Sequence, residues 1–108
     1  MLGMHGSAAA NYAIQEADLI IGLGTRFDDR TTGNIQKYAP EAIKAYDEGR
    51  GGIICVDIVK DNIGKTINPT HTVIGDCKSI LKILVKRDIP TNRNNWINQV
   101  NDLKKDFP

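Results

Sequence analysis

The hydrophobic residues of this 108-residue chain fall into short runs separated by charged or glycine-rich segments. Two of them, Leu19–Leu23 and Ile53–Ile58, predict strands, and the uninterrupted run of the first is typical of a parallel strand covered on both faces. A third strand is predicted at His71–Ile74. Apolar residues at helical spacing predict four helices and one short helical turn: Ser7–Ala17, Pro40–Glu48, Cys77–Lys86, Arg93–Asp106 and the turn Asn62–Ile67.

The apolar stripes of these helices predict how they pack. Strands that alternate with helices indicate an α/β fold, here a three-layer parallel sheet with flanking helices, joined by right-handed crossovers. Ser7 is the expected N-cap of the first helix. The predicted inner faces comprise Ala10, Ala13, Ile14 and Ala17 in the first helix, Ile80, Leu81, Leu84 and Val85 in the third, and Trp96, Val100, Leu103 and Phe107 in the last.

Length and composition restrict the classes of function. The chain is long enough for one modest domain, and its net charge of +1 comes from scattered basic residues. We therefore expect neither nucleic acid nor a membrane as partner. Cys55 and Cys77 are too few and too far apart for a metal site or a disulfide framework, so we expect no bound metal.

A charged loop follows the first predicted strand without an intervening turn. Gly22 and Gly24 end the apolar run, and Arg26 and Arg30 enclose an acidic pair at 28–29. Ligands of parallel α/β sheets bind just outside the carboxyl ends of the strands, and Arg26 has planar donors that suit a diphosphate. The alternative is a solvated loop whose charges pair with one another and contribute little.

Two acidic residues end the other predicted strands. Asp57 is suited to accept hydrogen bonds from ribose hydroxyls, or else it is a solvated strand terminus. Asp76 could bind an adenosine group, or it is an ordinary helix N-cap. His5 stands without a nearby nucleophile, and the third glycine of the GxGxxG fingerprint is absent. These residues predict binding and offer no catalytic constellation.

Three blocks occur in a characteristic order and spacing: LGMHG at 2–6, GTRFDDR at 24–30 and TGN at 32–34. With them, the chain closely resembles the central domain of acetohydroxyacid synthase, also called acetolactate synthase, a family that condenses pyruvate with a second 2-oxo acid in branched-chain amino-acid biosynthesis. The resemblance implies the Rossmann-like central domain of thiamine-diphosphate enzymes. The EGRGG segment at 48–52 resembles fungal members, which implies a mitochondrial setting; otherwise we expect a cytoplasmic one.

In this family the central domain binds FAD, which has a largely structural role. The resemblance implies that Leu2, Gly3, Met4 and His5 lie along the flavin. It implies that Gly24, Thr25 and Arg26 contact the ribityl–diphosphate part, with Asp28 and Arg30 nearby. It places Asp57, Ile58 and Asn62 at the adenosine ribose, Asp76 and Cys77 at the adenine, and Met4, Asp29 and Arg30 along the channel where herbicides act on such enzymes.

The resemblance also indicates what the full enzymes contain elsewhere. Thiamine diphosphate and Mg²⁺ are bound by other domains, and no GDG motif is found in this chain. We therefore expect a piece of a larger enzyme that is inactive alone, with a partial FAD domain at 1–90 and a helix at 91–108 leading to the thiamine domain. Its implied partners are further catalytic subunits, as a homodimer or tetramer, and a regulatory subunit.

Two alternatives remain at this stage. The chain could be the central domain of another thiamine-diphosphate enzyme, such as an oxalyl-CoA decarboxylase. It could also be a non-catalytic nucleotide-binding or interaction module.

Overall fold

The computed structural model describes residues 2–3, 6–25, 37–58, 69–86 and 93–107, and every structural statement below concerns these ranges. The predicted strands and helices are observed there with nearly the expected bounds. The predicted turn at Asn62–Ile67 lies outside the described residues. In chain order the elements are α1 (Ala8–Glu16), β1 (Leu19–Leu23), α2 (Pro40–Asp47), β2 (Gly52–Asp57), β3 (His71–Ile74), α3 (Cys77–Val85) and α4 (Asn94–Asp106).

The three strands form a parallel sheet in the order β1-β2-β3. Backbone pairing continues past the end of β1, because the Gly24 N–H donates to the Val56 carbonyl at 2.8 Å. The Gly75 N–H likewise donates to the Asp57 carbonyl at 2.9 Å, just after β3. The carboxyl ends of all three strands therefore lie side by side at one edge of the sheet, as the sequence predicted.

The core lies between the sheet and helices α1 and α2. Ala39, Ala42 and Ala45 are completely buried, and such small side chains let the α2 backbone approach the strands closely. Residues from the strands and from the start of α2 form the central cluster, with two α1 residues packed against it: Ile20, Ile53, Cys55, Tyr38, Ala39 and Ala42, then Ile14 and Ala17.

Helix α4 packs against α1. The rings of Tyr12 and Phe107 stack with their centroids 4.9 Å apart, and Gln99 Nε2 donates to Glu16 Oε2 at 2.7 Å. Trp96, the first residue of the predicted α4 stripe, is only half-buried. The stripe thus identifies the side of α4 that turns inward, but its contact with α1 is partial.

Two expectations about burial are wrong. Strand β1 is covered on one face only, since Ile20 and Gly22 are buried while the alternate residues Leu19, Ile21 and Leu23 are 42–50% exposed. Helix α3 has no buried residue at all. Val85, from its predicted inner face, is 80% exposed. An apolar run predicts a surface that can be buried. Whether it is buried depends on which other elements of the fold pack against it.

The start of β2 leaves no space for a side chain at Gly51 or Gly52. A Cβ on Gly51 would lie 2.1 Å from the Asp18 carbonyl oxygen, and one on Gly52 would lie 2.4 Å from Thr70 Oγ1. Gly52 also has φ +143° and donates its N–H to Asp18 at 3.0 Å. These glycines are required because the Asp18 backbone, just before β1, and the Thr70 side chain, just before β3, approach the start of β2 at this point.

None of the described helices has the length and apolar character needed to cross a bilayer. The same residues bring no three potential ligands of a metal ion together.

A methyl group at Gly51 should destabilise the fold strongly. We expect Gly51→Ala to lower the free energy of unfolding by about 2 kcal/mol or more, because the added Cβ meets backbone that cannot move aside. Gly49→Ala is the matched control: its φ is +74° with open space around it, so only the left-handed penalty of about 1 kcal/mol applies. Urea denaturation measures both, and equal losses would contradict this account.

Candidate functional site

The candidate site lies at the carboxyl edge of the sheet, where β1 and β3 end beside the start of α3. Gly24 has φ +69°, and a Cβ there would lie 3.7 Å from Cys77 Sγ. Gly24 therefore lies beside the Cys77 side chain, in the first turn of α3. Because glycine has no Cβ, a ligand could approach the Gly24 backbone closely.

Asp57 ends the central strand and is only 7% exposed. The alternative that it is a solvated strand terminus is therefore wrong. A buried carboxylate is retained where it has partners, and Asp57 does interact with other groups of the chain. The next residue, Ile58, is 69% exposed, so an apolar side chain stands open to solvent directly beside the buried acid.

Asp76 is the N-cap of α3, which is one of the two roles predicted for it. Its Oδ1 accepts from the Lys78 N–H at 3.1 Å, and its Oδ2 accepts from the Ser79 hydroxyl at 3.1 Å. Both oxygens are engaged, although the side chain is exposed. Capping fixes the first turn of α3, and thereby Cys77, next to Gly24.

Asn11, on α1, holds the glycine turn that precedes the helix. The Gly3 N–H donates to Asn11 Oδ1 at 2.8 Å, and Asn11 Nδ2 donates to the Gly3 carbonyl at 2.8 Å. Gly3 has φ +91° and its carbonyl also accepts from the Gly6 N–H at 3.0 Å. Sequence reasoning missed Asn11; the available signal was a poor helix former in the middle of a helix.

Gln15, one turn further along α1, holds the segment that leads into α2. Its Nε2 donates to the Lys37 carbonyl at 2.8 Å, and its Oε1 accepts from the Ala39 N–H at 2.7 Å. Ala39 is left-handed, with φ +50° and ψ +52°, which is unfavourable for a residue with a Cβ. Surrounding contacts must hold such a conformation, and Gln15 supplies two of them. No sequence pattern pointed to this role.

The structure brings most of the described candidates to one edge. Gly24, Thr25, Asp57 and Ile58 end β1 and β2 there. Asp76 and Cys77 begin α3 there too. Leu2 and Gly3 precede α1, whose other end leads into the amino end of β1. The candidates outside the described residues are Met4, His5, Arg26, Asp28, Asp29, Arg30 and Asn62.

A separate cavity of about 1040 Å³ lies by the amino end of the sheet, between β1 and the start of α4. Its charges include Asp18 and Arg50, which pair at 3.5 Å, and Arg50 also pairs with Glu48 at 2.6 Å. This cavity is at the opposite end of the strands from the predicted site. None of the residues predicted to bind a cofactor is among the described residues that line it.

The comparison with known families decides the family. The sequence model described as the central domain of thiamine pyrophosphate enzymes matches residues 1–84, which is most of the chain. The chain belongs to this thiamine pyrophosphate enzyme family. Its parallel sheet with flanking helices agrees with that assignment, and the predicted fold class is confirmed.

Individual thiamine pyrophosphate enzymes match over the whole chain. The acetolactate synthase catalytic subunit of Saccharomyces cerevisiae is 50% identical over 109 residues, and the enzyme of Schizosaccharomyces pombe is 50% identical over 111 residues; both are named mitochondrial. The chloroplastic enzyme of Arabidopsis thaliana is 38% identical over 114 residues. The predicted resemblance is confirmed. The chain spans 16–17% of the length of these relatives.

Stability should fall at alkaline pH because of two buried groups in the core cluster. Burial, and then the Asp57 carboxylate, raises the pKa of the Cys55 thiol. Burial, and then charge on Cys55, raises the pKa of Tyr38. A group whose pKa is raised by folding stabilises the fold fully below its unfolded value and loses that contribution as the pH rises through the folded value.

We therefore expect constant stability from these groups up to about pH 8.5, the usual thiol value, and a progressive loss above it. Urea denaturation between pH 7 and 10.5 measures this. Cys55→Ala should flatten the first part of the decline, whereas Cys77→Ala, at a half-buried thiol, serves as the control. A decline unchanged in the Cys55 variant would show that this thiol is not its source.

Proposed function

We propose that this chain binds FAD at the carboxyl edge of its sheet. The observation that carries the proposal is that the strand ends meet at this edge, where Gly24, which has no Cβ and so permits close approach to its backbone, lies beside Cys77 at the start of α3. A dinucleotide needs such close approach for its diphosphate, as in other parallel α/β sheets. The 50% identity to acetolactate synthases supports the same assignment.

The resemblance supports an assignment of individual residues to the parts of the cofactor. Asp57 would accept hydrogen bonds from the adenosine ribose, with Ile58 and Asn62 beside it. Asp76 and Cys77 would lie at the adenine. The ribityl–diphosphate part would be held by Gly24, Thr25 and Arg26 with Asp28 and Arg30 nearby, and the flavin would lie along Leu2, Gly3, Met4 and His5.

We further propose that the chain acts as part of an acetolactate synthase. In such an enzyme a two-carbon unit from pyruvate is transferred to a second 2-oxo acid, and FAD supplies structural support without net redox change. The central-domain residues bind and orient the cofactor, while thiamine diphosphate and Mg²⁺ belong to other domains. On this proposal residues 1–90 are the partial FAD domain, 91–108 lead towards the thiamine domain, and the chain alone turns over no substrate.

The setting and the partners follow from the same proposal. The fungal relatives are named mitochondrial, which supports a mitochondrial location for this protein. The assembly would contain two or four catalytic subunits and a regulatory subunit. Met4, Asp29 and Arg30 would line the channel to the active site, where sulfonylurea and imidazolinone inhibitors act on such enzymes.

Titration with FAD tests the proposed site directly. We expect saturable quenching of flavin fluorescence by the purified chain, and a loss of affinity of about tenfold or more in Arg26→Ala, because a charge-assisted hydrogen bond to the diphosphate is removed. Arg50→Ala removes the same charge at the amino end of the sheet and should change the affinity by less than about twofold.

Two results would overturn the proposal. One is the absence of saturable quenching with a chain shown by circular dichroism to be folded. The other is an equal loss of affinity in the Arg26 and Arg50 variants, which would indicate nonspecific attraction of the anionic cofactor.

A further inference from the structure

Strand β1 has one edge that pairs with no other strand among the described residues. The sheet order is β1-β2-β3, so β2 lies on one side of β1 only. The Asp18 carbonyl and the Gly24 N–H both bond to β2, at the two ends of the pairing. Because backbone groups of successive strand residues point to alternate sides, the even-numbered residues from 18 to 24 bond to β2. The N–H and C=O groups of Leu19, Ile21 and Leu23 therefore point away from it.

The same three residues, which we call the open edge, also carry the exposed side chains of β1. Leu19, Ile21 and Leu23 are partly open to solvent, whereas Ile20 and Gly22 are buried on the opposite face. Successive donors along the open edge are two strand residues, about 6.6 Å, apart. An extended polypeptide has acceptors and donors at this spacing, and its side chains can cover the apolar row. Peptides bind to sheet edges in this way by β-strand addition.

Space for an added strand adjoins the amino half of the open edge. Leu19 and Ile21 line the cavity of about 1040 Å³ that separates β1 from the start of α4, where Trp96 is part of the lining. The cavity also contains the pair formed by Arg50 and Asp18, whose charges lie 3.5 Å apart and offset each other. An incoming segment therefore meets apolar side chains and needs no charge of its own.

We propose that the open edge binds an extended, uncharged polypeptide segment with apolar side chains at alternate positions, by β-strand addition. The backbone of this segment would bond to the groups of Leu19, Ile21 and Leu23, and its apolar side chains would cover theirs. The open edge includes none of the residues assigned to FAD, so this surface and the proposed cofactor site can be tested separately.

The probe is a nine-residue peptide of alternating valine and threonine with a fluorescent label, and its binding to the chain is followed by fluorescence anisotropy. A matched control peptide carries N-methyl groups on two successive central residues. This change removes one donor from each edge of the peptide and leaves its side chains intact. We expect saturable binding of the first peptide and binding at least about tenfold weaker for the second, since a hydrogen bond is lost and the methyl group obstructs pairing.

Variants of the chain test the position of the surface. Ile21→Pro removes the central donor of the open edge and leaves the β1–β2 bonds in place, because proline is tolerated where a strand N–H faces away from the sheet. It should weaken peptide binding by about tenfold or more. Ile21→Gln removes apolar contact without adding charge and should weaken binding by about fivefold. Ile43→Gln is the matched control, because Ile43 on α2 is 46% exposed and Ile21 is 50% exposed; it should change binding by less than about twofold.

Three results would overturn the inference. Equal binding of the two peptides would show apolar adhesion without strand pairing. Equal losses in Ile21→Gln and Ile43→Gln would place the binding elsewhere on the chain. The third is the absence of saturable binding by a chain that circular dichroism shows to be folded. Should Ile21→Pro not fold, Ile21→Gln and the methylated peptide decide the outcome, and none of these results affects the proposed binding of FAD.

Discussion

The register of the sheet is set at its amino end, and the rest of the structure depends on that register. The Asp18 carbonyl accepts from the Gly52 N–H at 3.0 Å, which ties the start of β1 to the start of β2. On the other side, the Thr70 hydroxyl accepts from the Ile53 N–H at 2.8 Å and donates to the Ile53 carbonyl at 3.0 Å. A shift of one residue would exchange the side chains that β2 directs to the two faces of the sheet, so these contacts also decide which residues reach the far edge.

The order of strands and helices could be predicted from the sequence because it depends on local patterns. The apolar runs, the capping residue Asp76 and the glycine that follows α2 each lie within a few residues of the helix or strand that they determine. Burial could not be predicted in the same way. Leu19 and Val85 are apolar, yet their exposure depends on which elements pack against them, and a run such as β1 looks the same whether one face is covered or two.

The candidate site, too, could be predicted from the sequence only in part. Gly24, Asp57 and Asp76 could be found because the carboxyl ends of parallel strands are a general location for ligands. The contributions of Asn11 and Gln15 could not, since each amide meets backbone that is brought to it only by the folded chain: Gly3 is eight residues from Asn11, and Ala39 is 24 residues from Gln15. Their hydrogen bonds follow no motif that one sequence reveals.

The exposed face of β1 has a consequence for how this chain behaves in solution. Leu19, Ile21 and Leu23 form a row without a charge or a proline, and among the described residues the strand is paired on one side only. Natural sheets usually protect such edges with lysine, proline or a bulge. Apolar contact between molecules weakens on cooling, so the chain should be most nearly monomeric when it is cold and dilute.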